Sequence, residues 1–379
     1  MSDPRFDRVS AAADVVPDTI RTPAVVLDET AVEHNIATVI RLVAGAERWR
    51  PHVKTARTRW TVDRLRAAGV GRFKVSTFAE LSALLAFGVP DVLVAQPLTY
   101  ATRPIVAMMA ARFPGTVVSV LVEDAKAASG WARPVDVFID LDPGLGRTGV
   151  PLDDLTAVIG IADAWVAAGH RLAGLHVYDG HLADHDPAAK REAVSRELAQ
   201  ISSAVEALRA AGHEVGEVVV AGTHTFMEHA RQRASVSWGD LLTFGAGTVV
   251  YNDQRSLERF AAQKEGADLV AAAAVVARVI SKRSGGLTVD AGLTAIQVDA
   301  GVPHAVVISD PELHVGRPSQ EHLFLEGADH LLEPGNLVVL LPRHLDTALV
   351  QFDCLHRIAA DRRITVEHVI APRTDDTAS

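Results

Sequence analysis

Between Ala24 and about residue 250 the chain alternates between two textures. Short β-branched runs lead through a turn residue into Ala/Leu/Arg-rich stretches whose apolar positions recur every three or four residues. The first texture fits a buried strand, the second a helix with one apolar face. Strands are predicted at 24–28, 49–54, 73–76, 91–95, 117–122, 137–141, 172–178 and 218–221. Helices are predicted at 33–43, 61–68, 80–87, 103–112, 155–168 and 187–211. Eight strand–helix units in about 230 residues is the length of a (β/α)8 TIM-like barrel. An open doubly wound sheet shows the same alternation but gathers its ligand groups at one switch point. Here polar residues fall at the ends of many strands: Lys54, Thr77, Gln96, Arg147, Tyr178 and Thr223. That spread favours a barrel.

After about residue 255 the segments become β-like, at 275–281, 287–290, 305–308, 323–325, 337–341 and 349–352, with turns at Ser284-Gly285-Gly286 and Pro334-Gly335-Asn336. The expected organisation is a β/α barrel over 26–255 and a C-terminal antiparallel β domain over 256–379, with residues 1–25 packing on the latter.

Composition narrows the picture. The 379 residues include 48% hydrophobic ones, enough for a large core, and the formal charge is -10. An acidic chain lacks the Lys/Arg surplus that a nucleic-acid surface requires. A single cysteine, Cys354, excludes an internal disulfide and any multi-cysteine metal site. The charged N-terminus carries no apolar signal core, and the most apolar run, 269–280, is too short for a membrane span and contains Arg278. A cytoplasmic protein with no membrane and no nucleic-acid partner is expected.

Five motifs carry candidate chemistry. Arg50-Pro51-His52-Val53-Lys54-Thr55 ends the second predicted strand. A lysine at a barrel rim can be desolvated and made nucleophilic; a lysine at a strand end can equally be a plain surface residue. The run from Asp140 to Gly149 contains a literal G-x-G-x-x-G. Its place on about the sixth strand, and the lack of a well-spaced acidic residue, count against a dinucleotide site. The glycines otherwise serve to turn the chain and aim Arg147 inward. In Gly174-Leu175-His176-Val177-Tyr178-Asp179-Gly180-His181, alternation puts His176 and Tyr178 on one face, with His181 on the loop above. Gly222-Thr223 and Gly247-Thr248 follow the last barrel strands, where many barrels bind phosphate. Finally, His344 and Asp346 project to the same side of an extended segment, either as a metal half-site or as a simple hydrogen-bonded pair.

Taken together, these motifs resemble the D-threonine aldolase and D-serine dehydratase family, fold-type III pyridoxal-phosphate enzymes with an alanine-racemase-like barrel. The resemblance runs from Thr22-Pro23-Ala24 to about Asp353. It rests most on Arg50-Pro51-His52-x-Lys54-Thr55, Tyr178-Asp179-Gly180-His181 and His344-x-Asp346. It implies pyridoxal 5'-phosphate bound to Lys54 as a Schiff base and phosphate ligands at Gly222, Thr223, Gly247 and Thr248. Arg147 and Tyr178 then lie beside the cofactor, and His344 and Asp346 hold a divalent metal (Mn, Mg or Zn). His181 acts on the substrate hydroxyl, with His185 as the alternative. A homodimer is implied as well. The chain departs from the family after the metal motif, where Asp346 is followed by Thr347-Ala348-Leu349-Val350-Gln351 instead of a Pro-Thr step and an Asn. His-x-Asp in place of His-x-Cys favours the aldolase branch. The expected activity is retro-aldol cleavage of a D-3-hydroxy amino acid to glycine and an aldehyde. Elimination to a keto acid and ammonia, racemisation, a non-catalytic cofactor carrier and a NAD oxidoreductase are the alternatives, in that order.

Overall fold

The computed structural model describes residues 3–220, 222–261, 263, 266, 268–327 and 331–370. The chain forms two compact units. One consists of Ile40–Lys54 and Leu65–Gly247, the other of residues 3–39, Thr55–Arg64 and 248–370.

The first unit is the barrel. Among the described residues its parallel strands run in the order Arg72–Val75, Asp91–Pro97, Val117–Val122, Asp136–Asp142, Arg171–Val177, Glu217–Val220 and Leu242–Phe244. The segment 49–53 closes the ring. Trp49 bridges Phe244 and His52 bridges Lys74, both in parallel sense. Arg50 N–H donates to the Phe244 carbonyl at 3.0 Å, and Lys74 N–H to the Pro51 carbonyl at 3.0 Å. The expected barrel is therefore present, with one strand exchanged. The run 24–28 is a strand but lies in the other unit, and Leu242–Phe244 takes the eighth place. A three-residue strand containing a threonine gave too weak a local signal. Of the expected strand 218–221, Ala221 lies outside the described residues.

Helices return the chain between strands, and their starts follow from local chemistry. Thr77 caps Phe78–Ala86 in a reciprocal capping box with Glu80. Asp154 caps Leu155–Ala167, and Asp186 caps the long helix Pro187–Ala210, whose proline stands where no N–H is needed. Inside the barrel, Leu93, Leu121, Phe138, Ala173 and Val219 form an apolar floor. Arg50 is fully buried beside it, its guanidinium carbon 5.6 Å from the Phe138 ring centre. It binds Glu217 through two hydrogen bonds, of 2.8 and 2.7 Å, and Asp91 at 2.7 Å. Glu217 also accepts from Thr243 at 2.6 Å.

The second unit is built on a sheet of nine strands among the described residues. Ala24–Asp28 sits near its middle, antiparallel to Ala273–Arg283 and parallel to Cys354–Ile358. The sheet extends through Leu337–Pro342 on one path and through Gly286–Val289 and Leu323–Glu326 on another. The run 349–352, expected as a strand, instead leaves the short helix Leu345–Leu349. Among the described residues no helix is long and apolar enough to cross a membrane.

Arg50→Met should lower unfolding stability by about 3–5 kcal/mol, because it leaves buried Glu217 without its partner. Urea unfolding followed by circular dichroism measures it, and a loss below about 1 kcal/mol would remove this residue's role in closure.

Candidate active site

Two groups of polar side chains stand out, one in each unit. In the barrel, Lys54 is half-buried just past the closing segment 49–53. The imidazole of His52, two residues earlier, meets the Ser76 hydroxyl at 2.7 Å, and its Nδ1 accepts the Lys54 N–H at 3.1 Å. Gly247 approaches the same segment so closely that a Cβ there would fall 2.1 Å from the His52 carbonyl oxygen.

Tyr178 follows the strand Arg171–Val177 and is half-buried. A Cβ on Gly222 would lie 2.9 Å from its ring, and one on Gly180 would lie 2.6 Å away. Both glycines thus leave the space the ring occupies. The guanidinium of Arg147 sits 4.5 Å from the ring centre, in cation–π contact. His181 and His185 are exposed on the loop that follows.

The loop that aims Arg147 settles the dinucleotide question. Gly144, Gly146 and Gly149 all adopt positive φ. The N–H groups of Gly144 and Gly146 donate to the Asp142 carboxylate at 3.0 and 3.1 Å. Gly149 N–H donates to Glu123 at 2.6 Å. Amides that a pyrophosphate would need already serve carboxylates, so the G-x-G-x-x-G match is a turn.

Behind Gly222 lies a buried lock. Asp179 accepts from Gly222 N–H at 3.2 Å, from the Thr225 hydroxyl at 2.8 Å and from His229 Nε2 at 3.0 Å. Glu197 lies 3.5 Å from the same nitrogen. Burial pushes the Asp179 carboxyl up, but His229, Thr225 and Gly222 outweigh it and hold it below the usual range. Burial, reinforced by Asp179, raises Glu197 well above it. Ligand atoms of Asp179, Glu197 and His229 lie within 4.8 Å of one another, so a cation is geometrically possible there. Asp179 is satisfied by its hydrogen bonds, whereas buried Glu197 Oε1 and His229 Nδ1 have no hydrogen-bond partner among the described residues. Gly222 therefore contributes room more than a donor, and Thr223 beside it is half-buried.

Sequence reasoning named His176 and Asp140 but missed Lys74 and the contacts that join the three. Lys74 Nζ lies 3.3 Å from His176 Nε2, and His176 Nδ1 lies 2.7 Å from Asp140, which also accepts from Thr148 at 2.7 Å. All three residues are at least nine-tenths buried, with relative exposures of 4%, 2% and 3%. A strand lysine flanked by apolar residues reads as surface alternation, and nothing local announces its partners.

In the second unit His344 is not on an extended segment. It is the N-cap of the short helix Leu345–Leu349, and Asp346 stands in the first turn, because the strand ends at Pro342. Their side chains still face each other, with His344 Nε2 3.9 Å from Asp346 Oδ2. His344 Nδ1 is held by Asp299 at 2.5 Å, and Thr347 donates to Asp299 at 2.9 Å. Thr55 and Thr248 both donate to Asp346, the latter at 3.2 Å. Buried Asp253 is pushed up by desolvation and by the Asp346 charge. His344 Nε2 and the Asp346 carboxylate face each other as a two-residue half-site, with Asp299 taken up by Nδ1. The carboxylate on Nδ1 leaves Nε2 as the ligand atom, an arrangement common in metal-binding histidines. The sequence offered no sign of Asp299, which comes from a distant loop.

Seven parallel strands among the described residues, closed into a ring by the bridged segment 49–53, with a lysine just past that segment, joined to a β-rich unit, define a class of cofactor-dependent barrel enzymes. The chain belongs to the alanine-racemase family of fold-type III pyridoxal-phosphate enzymes: the alanine racemase N-terminal domain matches residues 27–249, and a serine dehydratase domain matches 272–358. It is 29% identical to the D-threo-3-hydroxyaspartate dehydratase of Delftia sp. (strain HT23), over 90% of this chain and 95% of that protein. The solved structure of the Delftia enzyme superposes with a TM-score of 0.81, at 28% identity over 94% of this chain and 99% of the other. A D-threonine aldolase structure from Filomicrobium marinum gives a TM-score of 0.84 at 25% identity, covering 94% and 96%. The 3-hydroxy-D-aspartate aldolase of Paracoccus denitrificans (strain Pd 1222) is 28% identical over 86% of each chain. These relatives are lyases.

The barrel residues fit pyridoxal phosphate. A lysine stands at a strand end, an aromatic ring is wedged between two glycines, and Gly247 provides a further close approach.

Gly222→Ala should weaken cofactor binding by about tenfold or more, since a Cβ must displace the Tyr178 ring at about 1–3 kcal/mol. Fluorescence titration with pyridoxal phosphate reads the change, and wild-type affinity would show that the cradle is not used.

Proposed function

We propose that the chain is a pyridoxal-phosphate- and divalent-metal-dependent lyase that cleaves a D-3-hydroxy amino acid, D-threonine-like in form, to glycine and an aldehyde. The observation that carries the reading is the setting of His344, oriented by Asp299 and facing Asp346 amid excess carboxylate. A racemase or a cofactor carrier has no use for such a centre, whereas a lyase acting on a hydroxyl does.

In this reading Lys54 holds the cofactor and exchanges it for the substrate amine. Tyr178 supports the ring, Arg147 lies beside it, and the turns at Gly222-Thr223 and Gly247-Thr248 receive the phosphate. When bound, the cofactor supplies an electron sink for the bond that breaks. His344 and Asp346 hold the metal, which when bound lowers the pKa of a hydroxyl beside it. His181 takes the hydroxyl proton, with His185 as its alternative, and the exposure of both leaves them in exchange with solvent. Lys54 returns a proton to the glycine carbon. The oxygen-rich donor set suits manganese or magnesium better than zinc. A homodimer, on the strength of the family resemblance, working in the cytoplasm, on the strength of the composition, completes the proposal.

A second reading has support from the Delftia relative, a dehydratase. A solved structure of a D-threo-3-hydroxyaspartate dehydratase is a cysteine-to-alanine mutant in the metal-free form. This chain has Asp346 and one cysteine, Cys354, outside the His-x-Asp motif. A hard carboxylate that helps hold a substrate alkoxide favours cleavage over loss of hydroxide, so elimination ranks second.

Lys54→Ala is expected to abolish both the visible cofactor band and turnover. Borohydride reduction and peptide mapping should find the label on Lys54 in the wild type; a label elsewhere would end the assignment. Incubation with D-threonine and other D-3-hydroxy acids should yield glycine plus aldehyde, and EDTA should remove most of that turnover while the visible band persists. Keto acid and ammonia as the main products would favour the second reading, and full activity without metal would return His344 to a hydrogen-bonding role.

A further inference from the structure

We propose that Lys74, fixed by His176 and Asp140, is a second functional lysine of this barrel: an ionisable floor that sets the charge around Lys54 and the cofactor it holds. The inference rests on the cofactor reading above and adds a residue to it.

The geometry fixes the direction of the chain. Asp140 is an ionised acceptor: burial pushes its carboxyl up, but hydrogen bonds from His176 and Thr148 and the charge of Arg147 bring it below the usual range. His176 therefore donates through Nδ1 and is left with a lone pair on Nε2, and burial together with the Lys74 charge keeps it neutral. Lys74 must then donate to Nε2, whatever its own charge. That bond occupies one position on the amine, and the Lys54 charge is felt at the same group.

Among the described residues no carboxylate is bonded directly to Lys74, which is unusual for a buried amine. Burial first, then the Lys54 charge, lower its pKa to about 7, with Arg147 and Arg50 acting in the same sense and Asp140 opposing them. An amine so placed changes charge near neutrality, and the imidazole relay anchors it in one position. The sign is fixed as well. Below its pKa Lys74 adds a positive charge beneath Lys54; above it that charge is gone. Lys74 is a positioning residue in this account, acting on the cofactor through Lys54 and the local field.

The test uses the cofactor-loaded full-length protein and reads the visible absorption band from pH 5.5 to 9. The wild type should show a titration step near neutral pH. Lys74→Met, which keeps the volume without the charge, should lose the step. Lys74→Arg should also lose it and hold the low-pH spectrum throughout, because a guanidinium stays charged. Asp140→Asn removes the charge that favours protonated Lys74, so its step should move about one pH unit or more to lower pH. Persistence of the step in Lys74→Met or Lys74→Arg, a visible band with no step in the wild type, or movement to higher pH in Asp140→Asn would overturn the inference. If Lys74→Met does not fold, Lys74→Arg and Asp140→Asn decide it. A wild type with no visible band would sink the cofactor reading itself, which distinguishes the two failures.

Discussion

A guanidinium with no access to water governs the barrel. Arg50 lies in the segment that closes the ring, and its charge is met by Glu217 from a strand two places round one way and by Asp91 from two places round the other. An unpaired charge at that depth would cost about 3–5 kcal/mol, a large share of what a domain has to spare. The ring must therefore close in one register, with Trp49 opposite Phe244 and His52 opposite Lys74. The height of Lys54, four residues along the same segment, follows from that register. A slip of one residue would turn it away from the interior.

Carboxylates do much of the local holding. Asp142 and Glu123 gather the amides of the glycine loop that presents Arg147. Asp179 gathers an amide, a hydroxyl and an imidazole behind Gly222. Asp140 and Asp299 each orient one histidine through Nδ1 and so free its other nitrogen. The acidic balance of the chain thus has a structural use inside it, apart from whatever it does at the surface. Charge-assisted hydrogen bonds are the strong ones, and here they fix the direction of the side chains proposed to do the chemistry.

The barrel was legible because its signals are local: β-branched runs, capping residues and the lengths between them. The exchange of 24–28 for Leu242–Phe244 was not, because which sheet a strand joins is decided by partners hundreds of residues away. The candidate site divides along the same line. Lys54, Tyr178, Gly222, Gly247, His344 and Asp346 sit in short motifs and could be named from them. Lys74, Asp140, Asp179 with His229, and Asp299 gain their meaning from contacts between separate segments. The helical start at His344 was hidden for a different reason: a histidine and an aspartate after a strand read equally well as more strand.

The placement of Ala24–Asp28 bears on the order in which the protein is made. All the strands of the barrel have been synthesised once Phe244 is added, so the ring has its full complement well before Cys354–Ile358 is made. Strand Ala24–Asp28, made among the first, waits for Ala273–Arg283 on one edge and Cys354–Ile358 on the other. Until the last of these leaves the ribosome, an apolar strand carries an open edge of the kind that invites pairing with a neighbouring chain. Strand Cys354–Ile358 therefore acts as the seal on a segment translated at the start, and a chain stopped short of it would present a sticky edge however well its barrel had formed.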